Sequence, residues 1–97
     1  MDQTLLKKLR QQAHTLSATV QIGKAGLTPT IIGELANQLK KRNLVKLKFL
    51  SSAFPEHPSK KEKQAFADQL AEKAGAEIIQ QIGFVVVLYK PRKDLIL

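Results

Sequence analysis

The order of segments along the chain predicts an α/β domain whose helices are layered on a mixed sheet. Three observations predict it. Helix-period and strand-period stretches alternate from Leu5 to Leu50, and two strand-like runs flank Gly83. The second of those runs, Phe84 to Leu88, is apolar without alternation, as expected of a central strand covered on both faces. Ninety-seven residues with 43% apolar content can build one modest core and not two domains. With no internal repeat, low-complexity tract or long linker, residues 1–97 read as a single domain.

Each element has its own signal. Leu5, Leu6, Leu9, Ala13 and Leu16 recur at helical spacing, with Lys7, Gln11 and His14 opposite, which predicts an amphipathic helix over 4–15. Thr19 to Ile22 is a short β-prone run stopped by Gly23, and Gly-Lys-Ala-Gly follows at 23–26. Thr28 and Pro29 form an N-cap and first-turn pair for a second helix, lined by Ile31, Ile32, Leu35 and Leu39 and running to about Lys41. Leu44 to Leu50 alternates, Val45, Leu47 and Phe49 on one side and Lys46 and Lys48 on the other, so the lysines are expected to face outward from a half-buried strand.

Ser51 to Pro58 carries two prolines and no periodicity and reads as a loop. Ser59 and Glu62 then make a capping box for a third helix, with Phe66, Leu70 and Ala74 as its buried stripe and Gly75 placed to end it. Glu77 to Ile82 and Phe84 to Lys90 read as a hairpin turning at Gly83, closed by Pro91.

Composition narrows the function. The chain has no cysteine, which removes disulfides, thiolate nucleophiles and Cys-ligated metal centres and suits a reducing compartment. Its longest apolar run, Phe84 to Tyr89, is far short of the roughly 20 residues a membrane-spanning helix needs. Met1 to Arg10 has no apolar signal-peptide core. The expectation is a cytoplasmic protein with no membrane partner.

Sixteen Lys and Arg against eight Asp and Glu leave a net charge of +8, which favours a polyanionic partner. The excess is concentrated in residues 23–48, where Lys24, Lys40, Lys41, Arg42, Lys46 and Lys48 face only Glu34. Residues 60–77 are balanced by contrast, with Lys60, Lys61, Lys63 and Lys73 against Glu62, Asp68, Glu72 and Glu77.

The basic block contains the one motif that carries chemistry. A strand ending in Gly23-Lys24-Ala25-Gly26 and leading into a helix at Thr28 makes an anion site from ordinary parts. Glycines allow close backbone approach and positive φ, the helix start presents N–H groups, and Lys24 adds a mobile charge. The pattern resembles the GxxG loop of KH domains, which clamps a nucleic-acid backbone, although there the loop joins two helices and here it joins a strand to a helix. GxxG alone is also compatible with a plain strand-to-helix turn; its place in the basic block, with Lys41, Lys46 and Lys48 nearby, is what favours nucleic acid.

The other candidates point to structure. Phe49, Phe84 and Tyr89 sit at core spacing on strands, with no RNP-like aromatic motif. His14 and His57 are far apart with no acidic cluster at ligand spacing. Ser51 and Ser52 lack a nucleophile-elbow context. The sequence therefore predicts neither an enzyme nor a metal or cofactor.

Four blocks taken together resemble a known family: Val20 to Thr28, Leu44 to Lys48, Ala74 to Gly83 and Val87 to Pro91. They are similar to the YhbY family, the stand-alone bacterial form of the CRM domain, named for chloroplast RNA splicing and ribosome maturation. The resemblance runs from about Leu5 to Arg92. It implies a two-layer α/β (α+β) fold, an N-terminal helix plus a βαβαββ core with a mixed four-stranded sheet, similar to the C-terminal domain of translation initiation factor three. It further implies RNA binding through Gly23, Lys24, Ala25 and Gly26 and an adjoining basic surface, and association with precursors of the large ribosomal subunit. Two positions depart from the pattern: Asn43 stands where relatives often have Glu, and Lys90 where Arg is common, replacing a bidentate fork with a point charge.

The expected function is that of a monomeric RNA-binding factor in large-subunit assembly, contacting precursor rRNA in a pre-ribosomal particle. The expected contacts are Gly23, Lys24, Ala25, Gly26, Lys41, Lys46, Lys48, Lys90 and Arg92. The alternative is a DNA-associated or protein-docking module using the same positive surface.

Overall fold

Residues 2–90 are described by a computed structural model. The elements are α1 (Gln3–Ala13), β1 (Val20–Ile22), α2 (Pro29–Arg42), β2 (Leu44–Phe49), a 3-10 turn (Ser51–Ala53), α3 (Lys60–Ala74), β3 (Glu77–Ile82) and β4 (Val85–Tyr89). The sheet order is β1-β2-β4-β3. β1 runs parallel to β2, and β4 is antiparallel to both β2 and β3. The mixed four-stranded sheet and the internal last strand are those the sequence predicts.

The predicted caps are all made. Thr28 Oγ1 accepts from Ile31 N at 3.2 Å with Pro29 in the first turn. Ser59 Oγ accepts from Glu62 N at 3.1 Å and Glu62 Oε1 accepts from Ser59 N at 3.4 Å, closing the capping box. Gly75 ends α3 in the left-handed region at φ 68°, where the missing Cβ removes the steric cost.

Boundaries shift by a residue or two. α1 stops at Ala13, β1 starts at Val20, and β2 stops at Phe49. Phe84 belongs to the turn with Gly83 instead of the last strand.

One side of the sheet carries the main core. Ile22, Val45, Leu47, Phe49, Val86 and Leu88 pack there against Leu35 and Leu39 of α2 and Ala67, Leu70, Ala71 and Ala74 of α3. The buried face of α3 therefore centres on alanines, and Phe66 of the expected stripe is half-buried. Alanines let a helix approach the sheet closely, while the larger ring sits at the margin.

The two-layer core is supplemented on the sheet's other side by α1. Leu9 and Ala13 pack against Leu44, Ile79 and Val87, with Leu6, Leu16 and Tyr89 at the edge. The helix therefore covers part of the second face, a point the sequence leaves open.

All four phenylalanines form one cluster. The Phe49 and Phe66 rings meet edge-on at 4.7 Å, and Phe54 lies 5.1 Å from Phe66 and 6.3 Å from Phe84. Phe54 and the buried Pro58 belong to the unpatterned 51–58 segment. That segment is an anchored connection, held by a half-buried ring packed against the core.

β3 is an edge strand interrupted by a bulge between Ile78 and Gln80. Arg10 of α1 donates from Nε to the Ile79 carbonyl at 3.2 Å. A bulge and a bound cation both obstruct strand addition at such an edge.

Candidate nucleic-acid interface

β1 delivers the glycine loop to the end of the sheet. Gly26 N donates to the Gly23 carbonyl at 2.9 Å, closing a turn with Lys24 and Ala25 exposed at its corners. Gly26 holds φ +71°, and no atom lies within 4 Å of where a Cβ would stand. Glycine is required there by backbone conformation, while the space above it is open. Thr28 N donates to the Gly26 carbonyl at 3.1 Å, joining the turn directly to the cap of α2.

The loop is supported from below. Leu50 N donates to the Ile22 carbonyl at 2.8 Å, so the chain leaving β2 lies beside the chain leaving β1. A Cβ on Gly23 would meet Leu50 Cδ1 and Ser52 Oγ, each at 3.4 Å. The Phe54 cluster thus holds the 51–53 turn, and that turn backs Gly23.

The electrostatics of the loop combine three sources. Lys24 is exposed at its corner, the N-terminal end of α2 carries the positive pole of the helix dipole, and Lys48 lies one strand away. The register pairs Gln21 with Lys48, two residues before the loop begins. Lys48 is exposed, as expected.

Lys46 departs from the expectation of a fully outward lysine. It is half-buried and donates from Nζ to the Leu16 carbonyl at 3.3 Å. The cause is α1, whose C-terminal end crosses the same face of the sheet.

The other predicted contacts are not at this end. Lys41 is exposed in the last turn of α2, about 18 Å along the helix axis from Pro29 at 1.5 Å per residue. Lys90 lies beyond the start of β2, with its backbone N donating to the Asn43 carbonyl at 2.8 Å. Its ammonium is 3.6 Å from where a Cβ on Gly75 would stand, at the C-terminal end of α3 that favours a cation. β2 puts about 17 Å between that end and the loop at ~3.3 Å per residue. Arg92 lies outside the described residues. The fold thus gathers Gly23, Lys24, Ala25, Gly26 and Lys48 at one end, places Lys46 between, and sets Lys41 and Lys90 at the other.

Sequence reading missed Gln21 and Gln80 as neighbours of this surface. Gln21 is exposed in the row that contains Lys48. Gln80 opposes Val87 on the same face because of the β3 bulge. Among the described residues no group of three or more His, Cys, Asp or Glu could hold a metal ion, and no helix is long and apolar enough to cross a membrane.

Comparison with known proteins gives concordant results. The CRS1 / YhbY (CRM) domain matches residues 1–90. A probable RNA-binding protein of Methanocaldococcus jannaschii is 34% identical over 90% of this chain, which spans 61% of the archaeal protein's length. The probable RNA-binding protein YqeI of Bacillus subtilis is 31% identical, covering 89% of this chain and 83% of the relative. The solution structure of a hypothetical protein from Staphylococcus aureus superimposes with a TM-score of 0.74 at 29% identity, covering 96% of this chain and 91% of the other.

Proposed function

Because the chain belongs to the CRS1 / YhbY (CRM) domain family, a family of non-catalytic RNA-binding modules, we propose that it binds RNA at the Gly23–Gly26 loop and acts in maturation of the large ribosomal subunit. The observation that carries the reading is the loop itself: a glycine turn, held open at φ +71°, between a strand end and a capped helix start, with Lys24 and Lys48 beside it. Such a turn admits a phosphodiester closely and meets it with positive potential. Relatives from an archaeon and a bacterium bear RNA-binding names, which supports RNA over other polyanions.

The partner in this reading is precursor rRNA of the large subunit within a pre-ribosomal particle. The protein acts as a monomer in the cytoplasm. Lys46 lies next to the primary contact, Lys41 and Lys90 serve a longer RNA that extends past the loop end, and Arg92 is a further proposed contact. Phosphate contacts fix the register of RNA on the protein, and no catalytic step is involved.

The experiment is ultraviolet crosslinking in growing cells, sequencing of the attached RNA and sedimentation of the complexes, with Gly26→Asp as control. A Cβ at Gly26 would meet no atom within 4 Å, and the strain of a side chain at φ +71° is one that Asp bears better than most residues. The expected result is enrichment of large-subunit rRNA in precursor fractions, lost in the variant. Crosslinks spread over messenger RNA would remove the ribosomal part. Equal affinity of the purified protein for duplex DNA and structured RNA at one salt concentration would favour a DNA-associated module.

A further inference from the structure

The second face of the sheet is only partly covered. α1 rests on Leu44, Ile79 and Val87, and the row nearest the glycine loop lies beyond it. The strand registers align Gln21, Lys48, Val85 and Ile82 side by side across β1, β2, β4 and β3. Ile82 is 66% exposed, Gln21 and Lys48 are exposed, and Val85 is half-buried.

Between this row and the end of α1 lies a hollow of about 220 Å3. Val85, Val87 and Ile82 form its floor, and Lys46, Gln80 and His14 stand at its rim. No carboxylate lines it. An apolar floor with a few polar groups around it is the make-up of a site for a small planar ligand group.

We propose that this hollow receives an unstacked base of an RNA strand whose backbone is held at the Gly23–Gly26 loop, with the Gln80 amide reading the edge of that base. The inference rests on the RNA-binding reading and deepens it, because it turns a backbone clamp into a site with base preference. Three features of the face support this occupant. Gln80 offers both a donor and an acceptor, the combination that hydrogen-bonds a base edge. Lys48 stands in the row between the loop-bearing strand and the hollow, where the connecting phosphate would pass. β4, which floors the hollow, is two strand spacings from β1, about 10 Å, so a strand leaving the loop reaches it directly.

Ile82 gains a reason in this arrangement. A single exposed aliphatic is ordinary on a protein surface, but this one extends a floor already made by two valines. The face of a base packs against such a floor while its edge stays at the polar rim.

The test compares binding of fluorescent single-stranded homopolymers of A, C, G and U by the intact protein and three variants at one salt concentration. The wild type is expected to prefer one base over the weakest by about fivefold or more, the discrimination a bidentate amide contact supplies. Gln80→Ala and Ile82→Ser are expected to bring the four affinities within about twofold of one another while leaving the salt slope as in wild type. Gly26→Asp is expected to weaken all four alike. Circular dichroism confirms folding, which these exposed or half-exposed positions permit. The base pocket is overturned if wild type shows no base preference, or if Gln80→Ala and Ile82→Ser keep it. Self-association of the wild type abolished by Ile82→Ser would assign the face to a second copy and overturn it too. If wild type binds none of the four and no structured RNA, the underlying RNA reading itself fails, a different result from loss of preference alone.

Discussion

Asn43 and Lys90, 47 residues apart, hold each other by two hydrogen bonds. The Lys90 backbone N donates to the Asn43 carbonyl at 2.8 Å, and Asn43 Nδ2 donates to the Lys90 carbonyl at 3.1 Å. Asn43 also ends α2 at φ 67°, the one non-glycine residue with positive φ among those described. The side chain that tolerates this conformation is thus the one that ties the last strand to the entry of β2. Here lies the physical reason for Asn at a position where the family resemblance suggests Glu.

Asn43→Ala removes the side-chain bond and, with it, the polar side chain by which asparagine tolerates positive φ better than alanine, so a loss of about 2 kcal/mol is expected. Asn43→Gly relieves the φ and loses only the bond, for about 1 kcal/mol. Thermal unfolding of the two variants side by side measures the difference, and equal losses would refute the conformational part.

Leu9→Ala tests the docking of α1. Leu9 is 6% exposed and packs on Leu44, Ile79 and Val87. A loss of about 2 kcal/mol is expected, near the low end for Leu→Ala because the site is peripheral. The corresponding fall in Tm is about 8–16 °C for a domain of this size. An unchanged Tm would mean that the helix does not pack on the sheet in solution.

Phe54→Ala tests the support of the loop. The ring bridges Phe49, Phe66 and Phe84 and anchors the turn that backs Gly23. The expected cost is about 2–3 kcal/mol, below that of a fully buried Phe. Faster hydrogen exchange at Gly23 to Gly26 than in wild type is expected alongside it; protection unchanged there would separate the cluster from the loop.

Salt dependence tests how much charge the interface uses. If about five phosphates are neutralised, the log-log slope is about −3.5 on a single strand and about −4.5 on a duplex-like lattice. On a short oligomer, Lys24→Ala and Lys48→Ala are each expected to reduce the slope by about 0.7. Lys90→Ala should leave it unchanged, since that residue is at the far end of the sheet. A flat salt dependence would remove the electrostatic account, and equal effects of all three lysines would remove the spatial one.

Local features were legible in the residues because they depend on near neighbours. The Thr28 cap, the Ser59–Glu62 box, the left-handed Gly75 and the glycine turn at 23–26 are each set within a few residues, and each is found where its pattern places it. The unalternating run at 84–88 likewise announces an internal strand: β4 lies between β2 and β3, with Val86 and Leu88 in the main core and Val87 under α1, while Val85 stays half-buried on the open face.

Other features required the tertiary structure, because they depend on residues far away in the chain. The basic block is continuous in sequence, but a 14-residue helix separates Lys24 from Lys41. Lys46 alternates correctly yet is drawn inward by the Leu16 carbonyl, 30 residues before it and just past the end of α1. The 51–58 segment has no period, and only the folded core supplies the rings that Phe54 joins. Gln80 shows the limit most sharply. Strict alternation from Ile78 places it on the α3 side, whereas the bulge sets it opposite Val87 and beside Ile82 on the open face. A one-residue shift in register reverses every side chain beyond it, and periodicity within a single strand does not reveal that shift.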